Sequence, residues 1–278
     1  MMIDLHTHIL TGVDDGPNTI EDSLEMCRIA YRDGIRTIVA TPHTLNGLYQ
    51  NDRPSILTKV QELNSVISKQ LSASISTSDT RHPTSGMPSS ELPNTQSEIR
   101  NSKSEILILP GADVHLNEQT IPQLDGGKVT TIGDRGKCLL LEFPFGGIPY
   151  GAEDVLHELI SRGIIPIISH PERNMEVQLN LKRYYAMIRM GCLGQVTAMS
   201  LTGGFGPKAR HLAEKLLSIG IVHIIASDAH SADGRPPVLS PAVRSAGKIV
   251  GEKEALRMVN DYPQAILEGQ RPNVPEPG

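Results

Sequence analysis

The feature that most constrains this chain is a unit repeated along it: a helix-like stretch closes on Gly, a short β-branched run follows, and a His or Asp ends the run. The unit reads Gly34-IRTIVATP-His43, Gly163-IIPIIS-His170 and Gly220-IVHIIAS-Asp228. Glycine just past a helix accepts the left-handed conformation that terminates it. An Ile/Val run without polar alternation suits a strand covered on both faces. Other runs obey the same rule: Met2 to Leu5 leads to His6 and His8, Ile106 to Leu109 leads to Asp113, and Cys138 to Leu141 leads to Glu142. Helical stretches fall between them over Thr19–Asp33, Pro54–Gln70, Ala152–Arg162, Leu179–Met190 and Pro207–Ile219, the first opening on a Thr-x-x-Asp capping box. Alternating helices and buried parallel strands, with polar groups collected at one strand end, predict an α/β fold built as a TIM-like (β/α) barrel. A doubly wound open sheet is the competitor, but it gathers ligands at one switch point rather than after nearly every strand.

With 278 residues the chain is long enough for one large domain. Residues 1–270 are expected to form it. They carry a Ser/Thr/Pro-rich insertion at 72–104 whose composition buries too little apolar surface to order itself. A flexible Pro-rich tail is expected at 271–278. A net charge of −5, no Trp and three Phe leave no basic face and few stacking rings, which argues against nucleic acid as a partner. The three cysteines, Cys27, Cys138 and Cys192, are far apart in apolar runs, as expected of buried thiols in a reducing, cytoplasmic compartment. The N-terminus lacks a signal-peptide pattern, and no run approaches the roughly 20 apolar residues of a membrane span.

The ten histidines are therefore the unusual stock. His6-Thr7-His8 puts two imidazoles on one face of a strand, able to share a cation or to bind neighbouring ones. Asp14-Asp15-Gly16 follows, a pattern that on its own is a turn or cap. His43, Glu142, His170, Asp228 and His230 each follow a buried strand, where packing gives no reason for an imidazole or carboxylate. Burying several carboxylates together is costly unless cations neutralise them. Mixed His and carboxylate donors without thiolate suit Zn2+, Mn2+ or Fe, and their number exceeds one tetrahedral shell. Multinuclear sites favour phosphoryl chemistry. Two guanidinium forks lie close in sequence to these donors, Arg173 in HPERN and Arg235 in SDAHSADGRPP, and such forks match phosphate oxygens. A cysteine-based phosphatase is disfavoured, since no Cys is followed six positions later by Arg. His82, His115, His157, His211 and His223 read as ordinary insertion, loop, helix or strand residues.

The set MIDLHTHIL-x-x-VDDG, GIRTIVATPH, LLLEFPF, ISHPERN and SDAHSADGRPP resembles the PHP superfamily (polymerase and histidinol phosphatase), and within it the bacterial protein-tyrosine phosphatases of capsule and exopolysaccharide operons. The resemblance spans Met2 to about Leu267 outside the insertion. It implies a distorted (β/α)7 barrel and a trinuclear, manganese-dependent site, with Fe or Zn2+ as other candidates. The metal positions are His6, His8, His43, Glu142, His170, Asp228 and His230, with one acid of the Asp14–Asp15 pair. Arg173 and Arg235 fall on the phosphate-binding arginines. Where the resemblance expects Gly-x-Glu after the third strand, this chain has Gly111-Ala112-Asp113, so Asp113 takes the position of a metal-bridging Glu with one methylene less. The implied substrate is the phosphorylated, tyrosine-rich tail of a bacterial tyrosine kinase that controls polysaccharide assembly, the membrane being reached only through that partner; a homo-oligomer is left open. A histidinol-phosphate or other small-molecule phosphatase, and a weakly catalytic, metal-stabilised interaction domain, are the alternatives.

Overall fold

The computed structural model describes residues 1–78 and 106–278, the side chains of 70–78 excepted. Most of the insertion expected at 72–104 thus lies outside the described residues. Its first part, 72–78, continues a helix that was expected to stop at Gln70. Strands and helices run β1 (Met2–Thr7), α1 (Ile20–Asp33), β2 (Ile35–Ala40), β3 (His43–Thr44), α2 (Arg53–Ser78), β4 (Leu107–Pro110), β5 (Asp113–His115), α3 (Thr120–Asp125), β6 (Cys138–Glu142), α4 (Ala152–Ser161), β7 (Ile165–Ser169), α5 (Met175–Leu179), α6 (Lys182–Met190), β8 (Leu193–Thr197), α7 (Ala198–Thr202), α8 (Gly206–Ser218), β9 (Ile224–Ala226), α9 (Ser240–Val250), α10 (Glu252–Arg257) and α11 (Asp261–Leu267).

The capping box opens α1 as expected, with Thr19 and Asp22 bonding each other's backbone, and Gly34 closes it in the left-handed region. The helix expected over Leu179–Met190 begins earlier and is broken: Asn174 caps α5 by accepting from Val177 N–H, and α6 restarts at Lys182.

All pairs between the strands named above are parallel. One sheet has the order β1-β2-β4, the other β3-β5-β6-β7-β8-β9. The sheets are continuous in space: β2 leads into β3 across Thr41-Pro42, and β4 into β5 across Gly111-Ala112. At the other edge the end of β1 meets the segment after β9, with a bridge between Thr7 and Ala229, His8 N–H donating to Ala229 C=O at 2.8 Å and Asp228 N–H to His6 C=O at 2.8 Å.

Two apolar compartments follow from the alternation of side chains along each strand. Cys138 and Leu140 join Ile3, Leu5, Val39, Ile167, Leu193 and Ile224 in one cluster enclosed by the strands, closed off by Ile132, Ile266 and Leu267. Leu139 and Leu141 face the opposite way, into the larger cluster between strands and helices. On β6 and β7 both faces are therefore buried, which is why those runs read as almost wholly aliphatic sequence. The segment 271–278, expected as a flexible tail, has no regular structure and touches the body through Val274, which packs on both clusters, and through Gly278 N–H to Ile219 C=O at 3.0 Å.

Candidate active site

Beyond the enclosed aliphatic cluster, the next inward position is polar on several strands. On β6, Cys138 and Leu140 are followed by Glu142; on β5, Asp113 and His115 pair with Leu140 and Glu142, so His115 and Glu142 sit side by side. On β8, Leu193 is followed by Gln195 and Thr197, both fully buried. On β1 strict alternation fails, because Leu5 joins the aliphatic cluster while His6 joins the polar one. A register shift resolves this: from Asp4 to Thr7 the strand advances three residues while its partner advances two, from Ile38 to Ala40. Such a bulge re-aims side chains next to functional sites. His170 and Asp228 reach the cluster by left-handed backbone, at φ of 31° and 51°, a conformation that non-glycine residues adopt rarely and mostly where function holds them.

All ten residues expected as metal ligands meet here. His6 Nε2 lies 3.2 Å from His8 Nε2, 3.4 Å from Asp228 Oδ1 and 3.6 Å from Asp113 Oδ2. His43 Nδ1 is 3.3 Å from Asp113 Oδ2 and 3.4 Å from Glu142 Oε2, and its Nε2 is 3.6 Å from Asp15 Oδ1. His230 Nε2 is 3.4 Å from Asp15 Oδ1, and His170 Nε2 is 3.4 Å from Glu142 Oε1. These spacings are long for hydrogen bonds. They match neighbouring ligands of one cation, which at metal–ligand distances of about 2.0–2.2 Å stand roughly 3.0–3.5 Å apart. Three overlapping groups have donor atoms within 4.8 Å of one another: His8, Asp15, His43 and His230; His6, His8 and Asp113; His43, Asp113 and Glu142.

The second nitrogen of the rings sets their tautomers. His6 Nδ1 bonds Gln195 Oε1 at 2.9 Å, His8 Nδ1 bonds Asp14 Oδ2 at 2.7 Å and His230 Nδ1 bonds the Asp228 carbonyl at 3.0 Å. Each acceptor requires a proton on Nδ1, so the Nε2 lone pairs of His6 and His8 face each other. That arrangement is repulsive unless a cation lies between them, and it is the form in which imidazole binds metal.

The acid pair divides its work. Asp14 accepts from His8 Nδ1, from Gly16 N–H at 3.0 Å and from His43 N–H at 3.1 Å, which together hold its carboxyl below the usual range against the opposing effect of burial. Asp15, half exposed, faces His43 and His230; the neighbouring imidazoles, His230 first, hold its carboxyl low. Asp14 thus orients His8, and Asp15 belongs to the cation-sized group.

The charged groups of the cluster act strongly on one another. Burial, reinforced by His230, pushes His8 down to about 4 despite Asp14. His43 moves the other way, up to about 11, because Asp113 and Glu142 outweigh its burial. Glu142 is likewise buried but is held far below its ordinary value by His115, His170 and His43. Asp228, also buried, is held low by His6, His170, Arg235 and Arg173.

Both arginines lie at the Asp228 edge. Arg173 Nη1 and Arg235 Nη2 donate to the same oxygen, Asp228 Oδ2, the latter at 2.6 Å, while Oδ1 faces the imidazoles. Arg235 Nε is buried without an acceptor among the described residues. The three cysteines are buried and free, their thiols pushed up to about 12, far from the thiolate a nucleophile needs.

Residues 2–77 and 75–268 match the family model for capsular polysaccharide synthesis proteins, CpsB/CapC. The chain belongs to the CpsB/CapC family. It is 33% identical over 234 residues to the tyrosine-protein phosphatase YwqE of Bacillus subtilis, covering 84% of this chain and 79% of YwqE. Against the tyrosine-protein phosphatase CpsB of Streptococcus pneumoniae it is 27% identical over 274 residues, covering 97% and 99%. The fold superposes with a TM-score of 0.84 and 30% identity, over 99% of this chain and 98% of the other, on a structure from the crystallographic work on YwqE and CpsB, described as unique metal-dependent tyrosine phosphatases.

Two site residues escaped the sequence analysis. His115, taken there as an ordinary residue, has its Nδ1 buried 3.6 Å from Glu142 Oε2, with no hydrogen-bond partner among the described residues; the Asp-x-His spacing that puts it on the face of Asp113 was its available sign. Gln195 carries no charge and sits on a strand whose Gly-Gln centre interrupts the aliphatic run.

Proposed function

We propose that this chain is a metal-dependent protein-tyrosine phosphatase, acting on the phosphorylated tyrosine-rich tail of a bacterial tyrosine kinase that regulates polysaccharide synthesis. The observation that carries the reading is the pair of facing Nε2 atoms of His6 and His8, 3.2 Å apart with both Nδ1 atoms committed, beside two guanidinium groups on one carboxylate. The family's link to capsule synthesis supports the kinase substrate. Free, buried cysteines fit a cytoplasmic setting, and no described helix is long and apolar enough to cross a membrane. We read the two sheets as one distorted (β/α)7 barrel, supported by their continuity and by the β1 contacts with the segment after β9.

We assign cation binding to His6, His8, Asp15, His43, Asp113, Glu142, His170, Asp228 and His230, with Asp14 holding His8 in its tautomer. The donor set, imidazole and carboxylate without thiolate, fits a trinuclear Mn2+ site and also accommodates Fe or Zn2+. Bound there, the cations would lower the pKa of water and neutralise phosphoryl charge. Asp228 presents Arg173 and Arg235 side by side at the edge of that group, where their free N–H donors can take the equatorial oxygens of a phosphoryl group. The leaving phenolate, with a pKa of about 10, needs little protonation assistance. Asp15, His43 and Glu142 are partly exposed, so the site opens to the surface and suits a phosphotyrosine carried on a polypeptide.

The test is turnover of an aryl phosphate, a phosphotyrosyl peptide and histidinol phosphate by Mn2+-loaded protein, with and without chelator. The expected outcome is chelator-sensitive hydrolysis with the peptide preferred. Chelator-resistant turnover overturns the metal mechanism, preference for histidinol phosphate overturns the protein substrate, and stoichiometric metal without turnover identifies an interaction domain.

A further inference from the structure

The loop Gly203-Gly204-Phe205 between α7 and α8 contributes no titratable group, yet its Phe205 lies under both arginines. The Arg173 guanidinium carbon lies 4.4 Å from the centre of the Phe205 ring and that of Arg235 lies 5.4 Å from it. We infer that Phe205 is a positioning residue for phosphate recognition: its ring holds Arg173 and Arg235 as one preorganised anion receptor. The inference rests on the phosphatase reading for the identity of the anion.

Two like charges directed at one carboxylate oxygen repel each other, and Asp228 compensates only one charge of the two. An aromatic face attracts cations through its quadrupole and excludes water from one side of each planar fork. Phe205 thus offsets the excess positive charge without adding an anion that would compete with phosphate. A second carboxylate there would pair the arginines fully and consume the donors that phosphate needs.

Backbone hydrogen bonds tie down the loop that carries the ring. Gly203 and Gly206 have φ of 90° and 85°, in the left-handed region. Gly204 N–H donates to Met199 C=O at 2.8 Å, and a Cβ on Gly204 would meet Met199 Cβ at 3.3 Å and its carbonyl oxygen at 3.4 Å. Gly206 N–H closes the turn on Gly203 C=O at 3.0 Å. Three glycines therefore place one aromatic side chain, and its only charged ring contacts among the described residues are these two arginines.

The test compares wild type with Phe205→Leu, Phe205→Ala and Phe205→Tyr in the metal-loaded full chain. It reads metal content, melting temperature, kcat and KM for an aryl phosphate, and inorganic phosphate binding by calorimetry. Removing the ring should raise KM and the phosphate dissociation constant about 5–30-fold in the Leu and Ala variants, the range given by losing two cation–π contacts. Tyr should stay within about twofold, and bound metal should be unchanged throughout. Phosphate binding by Phe205→Leu at the wild-type level, with the protein folded, overturns the inference; so does metal loss in Phe205→Leu, which would make the loop a support of the cation cluster. If Leu and Ala unfold, Phe205→Met, which fills similar space without an aromatic face, decides: a loss of phosphate affinity supports the inference and wild-type affinity overturns it. A wild type without turnover fails the phosphatase reading alone, because the phosphate-binding comparison still tests Phe205.

Discussion

At the residue scale the site is governed by which nitrogen of each imidazole carries its proton. His6, His8 and His230 each have Nδ1 on a fixed acceptor, and only one acceptor, Asp14, is a charged side chain. The neutral acceptor Gln195 therefore does for His6 what Asp14 does for His8. Gln195→Leu should weaken metal affinity about 10–100-fold, the usual cost of losing such an outer partner, whereas Gln195→Glu keeps an acceptor and should hold it. Chelator competition with metal analysis measures both; equal affinities in wild type and the Leu variant would show that His6 orients itself. The same logic explains what was legible. Charged residues after aliphatic runs announced themselves, so His6, His8, His43, Glu142, His170, Asp228 and His230 could be named from the chain. Asp14 and Asp15 are adjacent and chemically identical, and only the fold separates their roles. Gln195 and Phe205 act on titratable groups without titrating, so nothing in their chemistry marked them.

At the element scale the fold was readable wherever burial on both faces produced an unbroken aliphatic run, and unreadable where a strand carried something else. β8 was missed because Gly194 and Gln195 break its run, and β1 looked like simple alternation because a register shift against β2 has no local sequence mark. α9, α10 and α11 complete the last third of the chain without a recurring strand to frame them. One turn has a sharp steric demand. A Cβ on Gly16 would stand 2.6 Å from the His8 carbonyl oxygen and 3.0 Å from Asp14 Oδ1. Gly12 also sits in this loop, with φ of 69° and no atom within 4 Å of a Cβ. Gly16→Ala should therefore cost about 2–3 kcal/mol by overpacking and lower metal affinity as well, since it displaces the backbone that carries His8, Asp14 and Asp15. Gly12→Ala should cost about 1–2 kcal/mol of left-handed strain and leave metal affinity intact. Denaturant titration paired with metal binding separates the two; an unaltered affinity in Gly16→Ala would show that the turn is free to move.

At the scale of the whole molecule, chemistry and stability occupy opposite ends of the strands, as the parallel architecture favours. The polar cluster lies beyond the strand C-termini, while Ile266, Leu267 and Val274 close the other end and Arg271 donates to the Gly191 carbonyl at 2.6 Å. His223 is buried at that closed end, just before β9, and its Nδ1 accepts from Gly194 N–H at 3.1 Å. Burial, aided by the Arg271 charge, pushes it down to about 4 from an ordinary 6.5. The unfolded chain thus binds a proton that the folded chain refuses between these values. The stability this histidine contributes is complete above about pH 6.5 and is lost as pH falls toward 4, by about 3 kcal/mol in all. His223→Gln can still accept from Gly194 but cannot titrate. Urea unfolding of chelated protein at several pH values between 4 and 7 should therefore show a steeper loss of stability in wild type than in the variant, because the site residues titrate alike in both. Parallel curves would mean that His223 is protonated in the folded state and that the closed end of the molecule tolerates the charge.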